Sequence, residues 1–274
     1  MTDDNNCKPP VLLVHGMWSD ENTLHEVHQA FSEQGYEVQS LRLPGHCPKQ
    51  EHTPASKARL ARTRLQDYVD HVVARVRAMP RAPILVGHSM GALLAQLTAA
   101  RVPCERLILL SSAAPAGIFG LSWSAIRTLG RNMLRFPLWT SVTELKLANI
   151  QYGVANAQSL AVQQEILAGC TYESGMATFQ ITLGSFMPKR AFSRVDTDRI
   201  QCPVLIIGGT ADRITPIAIQ RRIAERFGER CQLVEIPGCC HWSVGGKYFP
   251  QVRTALLDWL EGESEESVET AMAG

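Results

Sequence analysis

The run Ile84-Leu85-Val86-Gly87-His88-Ser89-Met90-Gly91-Ala92 sets a Gly-x-Ser-x-Gly pentad between an apolar stretch and a small-residue helical pattern. It predicts a strand, a sharp turn carrying Ser89, and a helix. Such a turn needs glycine at 87 and 91, where a Cβ would crowd neighbouring backbone. It holds the serine Oγ clear of its own main chain at a helix N-terminus, where developing negative charge is favoured.

A serine hydroxyl is a weak nucleophile at neutral pH and needs a base within hydrogen-bond reach, itself oriented by an acid. Asp212 lies just past a strand ending Gly208-Gly209-Thr210, and His241 just past one ending Ile236-Pro237-Gly238. The other histidines all lie before the elbow or in it, so none competes with His241 for that place. Where an acid could follow the preceding strand, the chain has Ser111 and Ser112. Ser89, Asp212 and His241 are therefore the candidate catalytic residues. His15 reads as a hydrogen-bonder that fixes its loop, and His88 as a filler of the pentad with no catalytic part.

Around this motif strands and helices alternate. Pro10 to Val14 is a continuous apolar run, as in a strand buried on both faces. A helix follows from Ser19 or Asp20 to a stop at Gly35, with Leu24, Val27 and Phe31 inward. Tyr36 to Leu43 reads as a strand, and Ser56 to Met79 as one long amphipathic helix with Leu60, Leu65, Tyr68, Val72, Val73 and Val76 inward. Arg106 to Ser111 is a further strand. The alternation resumes with strands at Pro203 to Ile207 and Cys231 to Ile236, and with helices at Pro216 to Phe227 and Gly245 to Leu260. This is the pattern of a parallel α/β sheet covered on both faces. Between Ala113 and Arg194 the reading is helical and irregular, without a convincing buried strand. A segment of roughly 80 residues between two sheet strands is too long for a loop, and predicts a helical cap over the C-terminal edge of the sheet.

The pieces His15-Gly16, Leu43-Pro44-Gly45-His46, Gly87 to Gly91, Gly209-Thr210-Ala211-Asp212-Arg213-Ile214-Thr215-Pro216 and His241-Trp242 resemble those of α/β-hydrolase-fold serine hydrolases, in the capped esterase, lipase and thioesterase group. The resemblance spans residues 10 to 260 apart from the cap. It implies about six mainly parallel strands, a core at 8–115 and 199–262, a cap (lid) at 116–198 inserted before the penultimate strand, and flexible tails at 1–7 and 263–274. Many members begin with an antiparallel hairpin; this chain starts directly at the His-Gly strand. The resemblance also implies an oxyanion hole made by the backbone N–H groups of Met17 and Met90. It excludes the dehalogenases and epoxide hydrolases of the fold, which use aspartate as nucleophile. Trp18 and Trp242 are candidate substrate contacts at the pocket mouth, with ordinary core burial as the alternative.

With 45% hydrophobic and 19% charged residues, a chain of 274 residues can bury a substantial core. A net charge of +1 gives no support for nucleic acid as partner. The polar, acidic start Met1-Thr2-Asp3-Asp4 is unlike a secretory signal, and eight cysteines without regular spacing fit reduced thiols; the expected location is cytoplasmic. No cofactor or metal is expected: Cys239-Cys240-His241 and His25-Glu26-Val27-His28 match no usual ligand spacing. Cys240, beside the candidate base, is a candidate for thiol modification. The cap is apolar and aromatic, from Ile118 and Phe119 through Leu138 and Trp139, and favours a hydrophobic acyl or aromatic group. Arg127, Arg131 and Arg135 recur every four residues with no acid nearby. They are either a solvated helix face or a rim for an anionic group, consistent with transient contact with lipid or an acyl carrier. The expected activity is hydrolysis of a small hydrophobic ester or thioester. The same residues also suit acyl transfer or carbon–carbon bond hydrolysis, and a binding protein with an idle site is the reading from another class.

Overall fold

The computed structural model describes residues 8–120, 122–133, 136–187 and 191–272, of which 131–133 and 263–272 are described by their backbone. The elements are β1 (Val11–Val14), α1 (His25–Glu33), β2 (Val38–Leu41), α2 (Pro54–Ala61), α3 (Leu65–Arg77), β3 (Ile84–His88), α4 (Met90–Ala99) and β4 (Arg106–Leu110). Then come α5 (Trp123–Met133), β5 (Val142–Thr143), α6 (Leu147–Asn149), α7 (Leu160–Gly169), β6 (Glu173–Ser174) and α8 (Gly175–Gly184). The chain closes with β7 (Val204–Gly209), α9 (Ile217–Phe227), β8 (Cys231–Ile236) and α10 (Phe249–Met272). Six strands form one sheet in the order β2-β1-β3-β4-β7-β8, and every pair is parallel. Among the described residues no helix is long and apolar enough to cross a membrane.

The four inner strands, β1, β3, β4 and β7, are largely apolar on both faces because both are covered. Leu12, Val14, Leu85, Leu107, Leu109 and Ile206 point into a core closed by α3, α4 and α9. Their alternates Val11, Leu13, Val86, Ile108, Leu110 and Ile207 point into a second core closed by α1 and α10. Each such fully buried side chain contributes about 1.5–3 kcal/mol. The sheet is thus a rigid platform, and the loops at its C-terminal edge inherit that rigidity.

The structure differs from the sequence reading in three places. The helix expected over 56–79 is two helices. Thr53 caps α2 ahead of Pro54, and Arg64 is extended (φ −90°, ψ 158°), its N–H held by Asp67 Oδ2 at 2.8 Å. The carbonyls freed at the break are taken by the buried Ser174, whose hydroxyl reaches Ala61 O and Thr63 O. All six residues expected inward are buried. Second, the excursion between β4 and β7 is mainly helical but holds a two-residue antiparallel ladder, with Val142 opposite Ser174 and Thr143 opposite Glu173. Two residues carry no periodicity to read. The excursion is closed at its base by Ala116 N–H donating to Ser193 O at 2.9 Å. Third, the last helix starts at Phe249 and runs to Met272, past the expected stop at Leu260. Residues 1–7, expected as a tail, lie outside the described residues.

The turn at Ser89 has the geometry the pentad predicts. Ser89 sits at φ 56°, ψ −119°. A Cβ on Gly91 would lie 2.1 Å from Val14 O, and one on Gly87 would lie 2.3 Å from Gly91 O. The start of α4 is pressed onto β1 with no space for a methyl group. Gly91→Ala is expected to cost about 3 kcal/mol or more, seen as a lower midpoint of urea unfolding; an unchanged midpoint would contradict the contact.

Candidate active site

Three loops at the C-terminal edge of the sheet bring the candidate residues together. Ser89 follows β3, Asp212 follows β7 and His241 follows β8. Ser89 Oγ lies 3.0 Å from His241 Nε2, and His241 Nδ1 lies 2.8 Å from Asp212 Oδ2. With the proton on Nδ1 donated to the carboxylate, Nε2 is left to accept from the serine hydroxyl. All three side chains are buried.

The carboxylate is held by its own loop. Ile214 N–H and Thr215 N–H both donate to Asp212 Oδ1 at 2.8 Å, and Thr215 Oγ1 donates to Oδ2 at 2.9 Å. Burial pushes the Asp212 carboxyl up, but the His241 imidazole beside it and these amides outweigh burial and hold it below the usual carboxylate range. Thr215 was not singled out from the sequence, although a Thr three residues after the acid is the spacing of a side chain that folds back on it. The place of the competing acid is filled by Ser111, at φ 46°, whose hydroxyl meets Ser243 Oγ at 3.1 Å.

His88 does more than fill the pentad. Its Nε2–H donates to the backbone O of His241 at 3.0 Å, tying the loop of the base to the strand of the nucleophile. Burial first, and then the neighbouring His241, push its pKa down to about 3, so it stays neutral. No residue pattern marks this role, because the bond goes to a backbone atom far along the chain. His15 has the loop-fixing place expected of it: Nδ1–H donates to Gly16 O at 2.9 Å, and Nε2 accepts from Leu43 N at 3.2 Å. Burial, then the nearby His46, hold it well below the ordinary histidine value.

Gly16 lies against the nucleophile, since a Cβ there would stand 3.0 Å from Ser89 Cβ. This puts Met17 beside Ser89 on one side and Met90 beside it on the other. Among the described residues neither amide N–H donates to a backbone carbonyl. Met17, Ser89 and His241 open on a cavity of about 1100 Å³, mouth included. The excursion lines it mainly with apolar side chains, Leu129, Leu145, Ile150, Val154, Ile166 and Ile181, together with Thr178, Thr182 and Ser185. Trp18 and Trp242 both line it, Trp18 buried and Trp242 half-buried. Among the described residues the cavity lining holds no Asp, Glu, Lys or Arg.

Cys239 and Cys240 are buried, and burial raises both thiols, Cys239 to about 12. Neither is a ready thiolate, which removes the reason to single out Cys240. Of the arginine series, Arg127 stacks over the Tyr152 ring at 4.1 Å, shared with Arg213 at 4.9 Å. Arg135 and the Arg131 side chain lie outside the described residues.

Known proteins carry the same arrangement of fold. A monoacylglycerol lipase of Mycolicibacterium smegmatis is 27% identical over 259 residues, covering 88% of this chain and 83% of the relative. Among solved structures, the monoacylglycerol lipase of Paleococcus ferrophilus superposes with a TM-score of 0.67 at 20% identity, covering 93% of this chain and 96% of its own. A pyrethroid hydrolase superposes with a TM-score of 0.65 at 18% identity, covering 94% and 99%. Residues 11–245 match the Alpha/beta hydrolase family. That match covers the whole parallel sheet and its serine turn, and the chain belongs to the alpha/beta hydrolase family.

Proposed function

We propose that the chain hydrolyses a carboxylic ester or thioester with a hydrophobic acyl group, through an acyl-enzyme on Ser89. The observation that carries this reading is the Ser89–His241–Asp212 relay, at 3.0 and 2.8 Å, opening on an apolar cavity. The names of the relatives, lipases and esterases among them, support ester chemistry over the other reactions of the fold.

In this reading Ser89 Oγ attacks the carbonyl carbon while His241 Nε2 takes its proton. Negative charge then develops on the carbonyl oxygen beside Gly16, and the Met17 and Met90 amides donate to it; one such donor is worth about 10²–10³ in kcat. His241 returns the proton to the departing alcohol or thiol, and water repeats the sequence on the acyl-enzyme. Asp212 keeps Nδ1 protonated and stabilises the imidazolium without itself taking a proton. The excursion at 116–198 serves as a cap, and its apolar wall takes the acyl chain out of water at about 0.8 kcal/mol per buried CH₂.

A p-nitrophenyl ester series of rising acyl length, with Ser89→Ala as blank, tests the reading. Rates are expected to rise from acetate to longer chains and to vanish in the variant; an acetate optimum would contradict the apolar acyl site, and an active Ser89→Ala the nucleophile. Asp212→Asn is expected to lower kcat about 10⁴-fold by allowing the wrong tautomer, and a loss under tenfold would contradict its part. On acidification kcat/KM is expected to fall with a slope of one, as for a mechanism with a single essential base. Asp212, held below its ordinary range, remains ionised there, and His88, at about 3, remains neutral, so neither steepens the limb. A slope of two in the kcat/KM profile would show a second essential group.

A further inference from the structure

The loop that carries Met17 is held from outside the core. Trp18, the next residue, sits at φ 57°, a left-handed conformation that a bulky side chain adopts only under constraint. Two bonds supply the constraint, and both come from the β5–β6 ladder and its approach. The indole Nε1–H donates to Thr143 Oγ1 at 3.0 Å, and Thr171 N–H donates to the backbone O of Trp18 at 2.8 Å. Thr143 is fully buried, and its own hydroxyl points to Glu173 O across the ladder.

The ladder is in turn fixed to the core. Glu173, fully buried, accepts from Tyr68 OH at 2.9 Å on one oxygen and meets His46 Nε2 at 2.9 Å on the other. The His46 ring packs edge-on against His15 at 5.0 Å, and His15 holds Gly16 O. Met17 is therefore bracketed: Gly16 is fixed before it through His15, and Trp18 after it through Thr143 and Thr171. The Met17 N–H lies in the peptide plane it shares with the Gly16 carbonyl, so its direction follows from how this bracket is held; Ser19 Oγ adds a bond to Met17 O at 3.3 Å.

We propose that Thr143 and Trp18 are a positioning pair that aims the Met17 amide at the reacting oxygen, so that the excursion completes the oxyanion site of the core. This rests on the reading of Met17 as an oxyanion donor. A donor helps only where it meets the charge as it forms, and small misplacements of such groups are costly. The bond is thus worth more in the transition state than in the ground state, and its loss falls on kcat.

The test uses the full chain with Thr143→Val, Thr143→Ser, Trp18→Phe and the double variant Trp18→Phe/Thr143→Val. The readouts are kcat and KM on the best p-nitrophenyl ester, and Ki for an alkyl trifluoromethyl ketone of the same chain length. Ser89 Oγ adds to the ketone carbon, its proton passes to His241, and the ketone oxygen becomes an oxyanion in the hole. Thr143→Val is expected to lower kcat and weaken the ketone together, by about ten- to a hundredfold, with KM within about threefold. Thr143→Ser restores both, and the double variant is no slower than the worse single one, as for two partners of one bond. Unchanged kcat and Ki in a folded Thr143→Val, a loss that serine fails to restore, or a change in KM alone would overturn the proposal. Should Thr143→Val not fold, Trp18→Phe removes the donor of the same bond and is read by the same ratio of kcat to Ki. A wild-type chain that neither turns over esters nor binds the ketone would remove the ester reading first, and the pair's role with it.

Discussion

The first turn of α4 lies so close to β1 that a Gly91 Cβ would fall 2.1 Å from Val14 O. Three consequences follow from this approach. The chain leaving β3 must turn through a positive φ at Ser89 (56°), which lifts Oγ off the backbone. The N-terminus of α4, the positive end of its dipole, begins at Met90, directly after Ser89. And β1, pressed against the same turn, delivers Gly16 and Met17 to the other side of the serine. The strain of the turn, of order 1–3 kcal/mol, is offset by the buried faces of β1, β3 and α4.

The polar groups of the site are each held by fixed hydrogen bonds. Asp212 receives two amides, a hydroxyl and the imidazole, and burial alone would not have kept it charged. His88 and His15 are buried where a charge would be costly, and both act through fixed hydrogen bonds to backbone atoms. Low polarity around the relay strengthens each of its bonds. It also makes the site sensitive to any partner that is lost.

Much of the fold was legible because the strands of a sheet covered on both faces are continuous apolar runs, as in Val11–Val14 and Val204–Gly209. The order Ser89, Asp212, His241 was legible because each residue lies in the loop after a strand, and the structure brings the three within hydrogen-bond distance. The break between α2 and α3 was not, since Arg64 is extended for reasons spread over Asp67 and Ser174, the latter far along the chain. Nor was the β5–β6 ladder, whose two residues per strand show no alternation. Thr143 and His88 share a further difficulty: their partners, Trp18 and His241 O, are set by the tertiary path, and a lone threonine or histidine carries no sign of it.

The most direct measurement of the central relation, that His241 activates Ser89, is labelling with an alkyl fluorophosphonate followed by mass spectrometry of the digested chain. One adduct on the peptide containing Ser89 is expected, with the labelling rate falling by orders of magnitude in His241→Ala. An adduct on another residue, or a Ser89 adduct that forms as fast without His241, would contradict the relay.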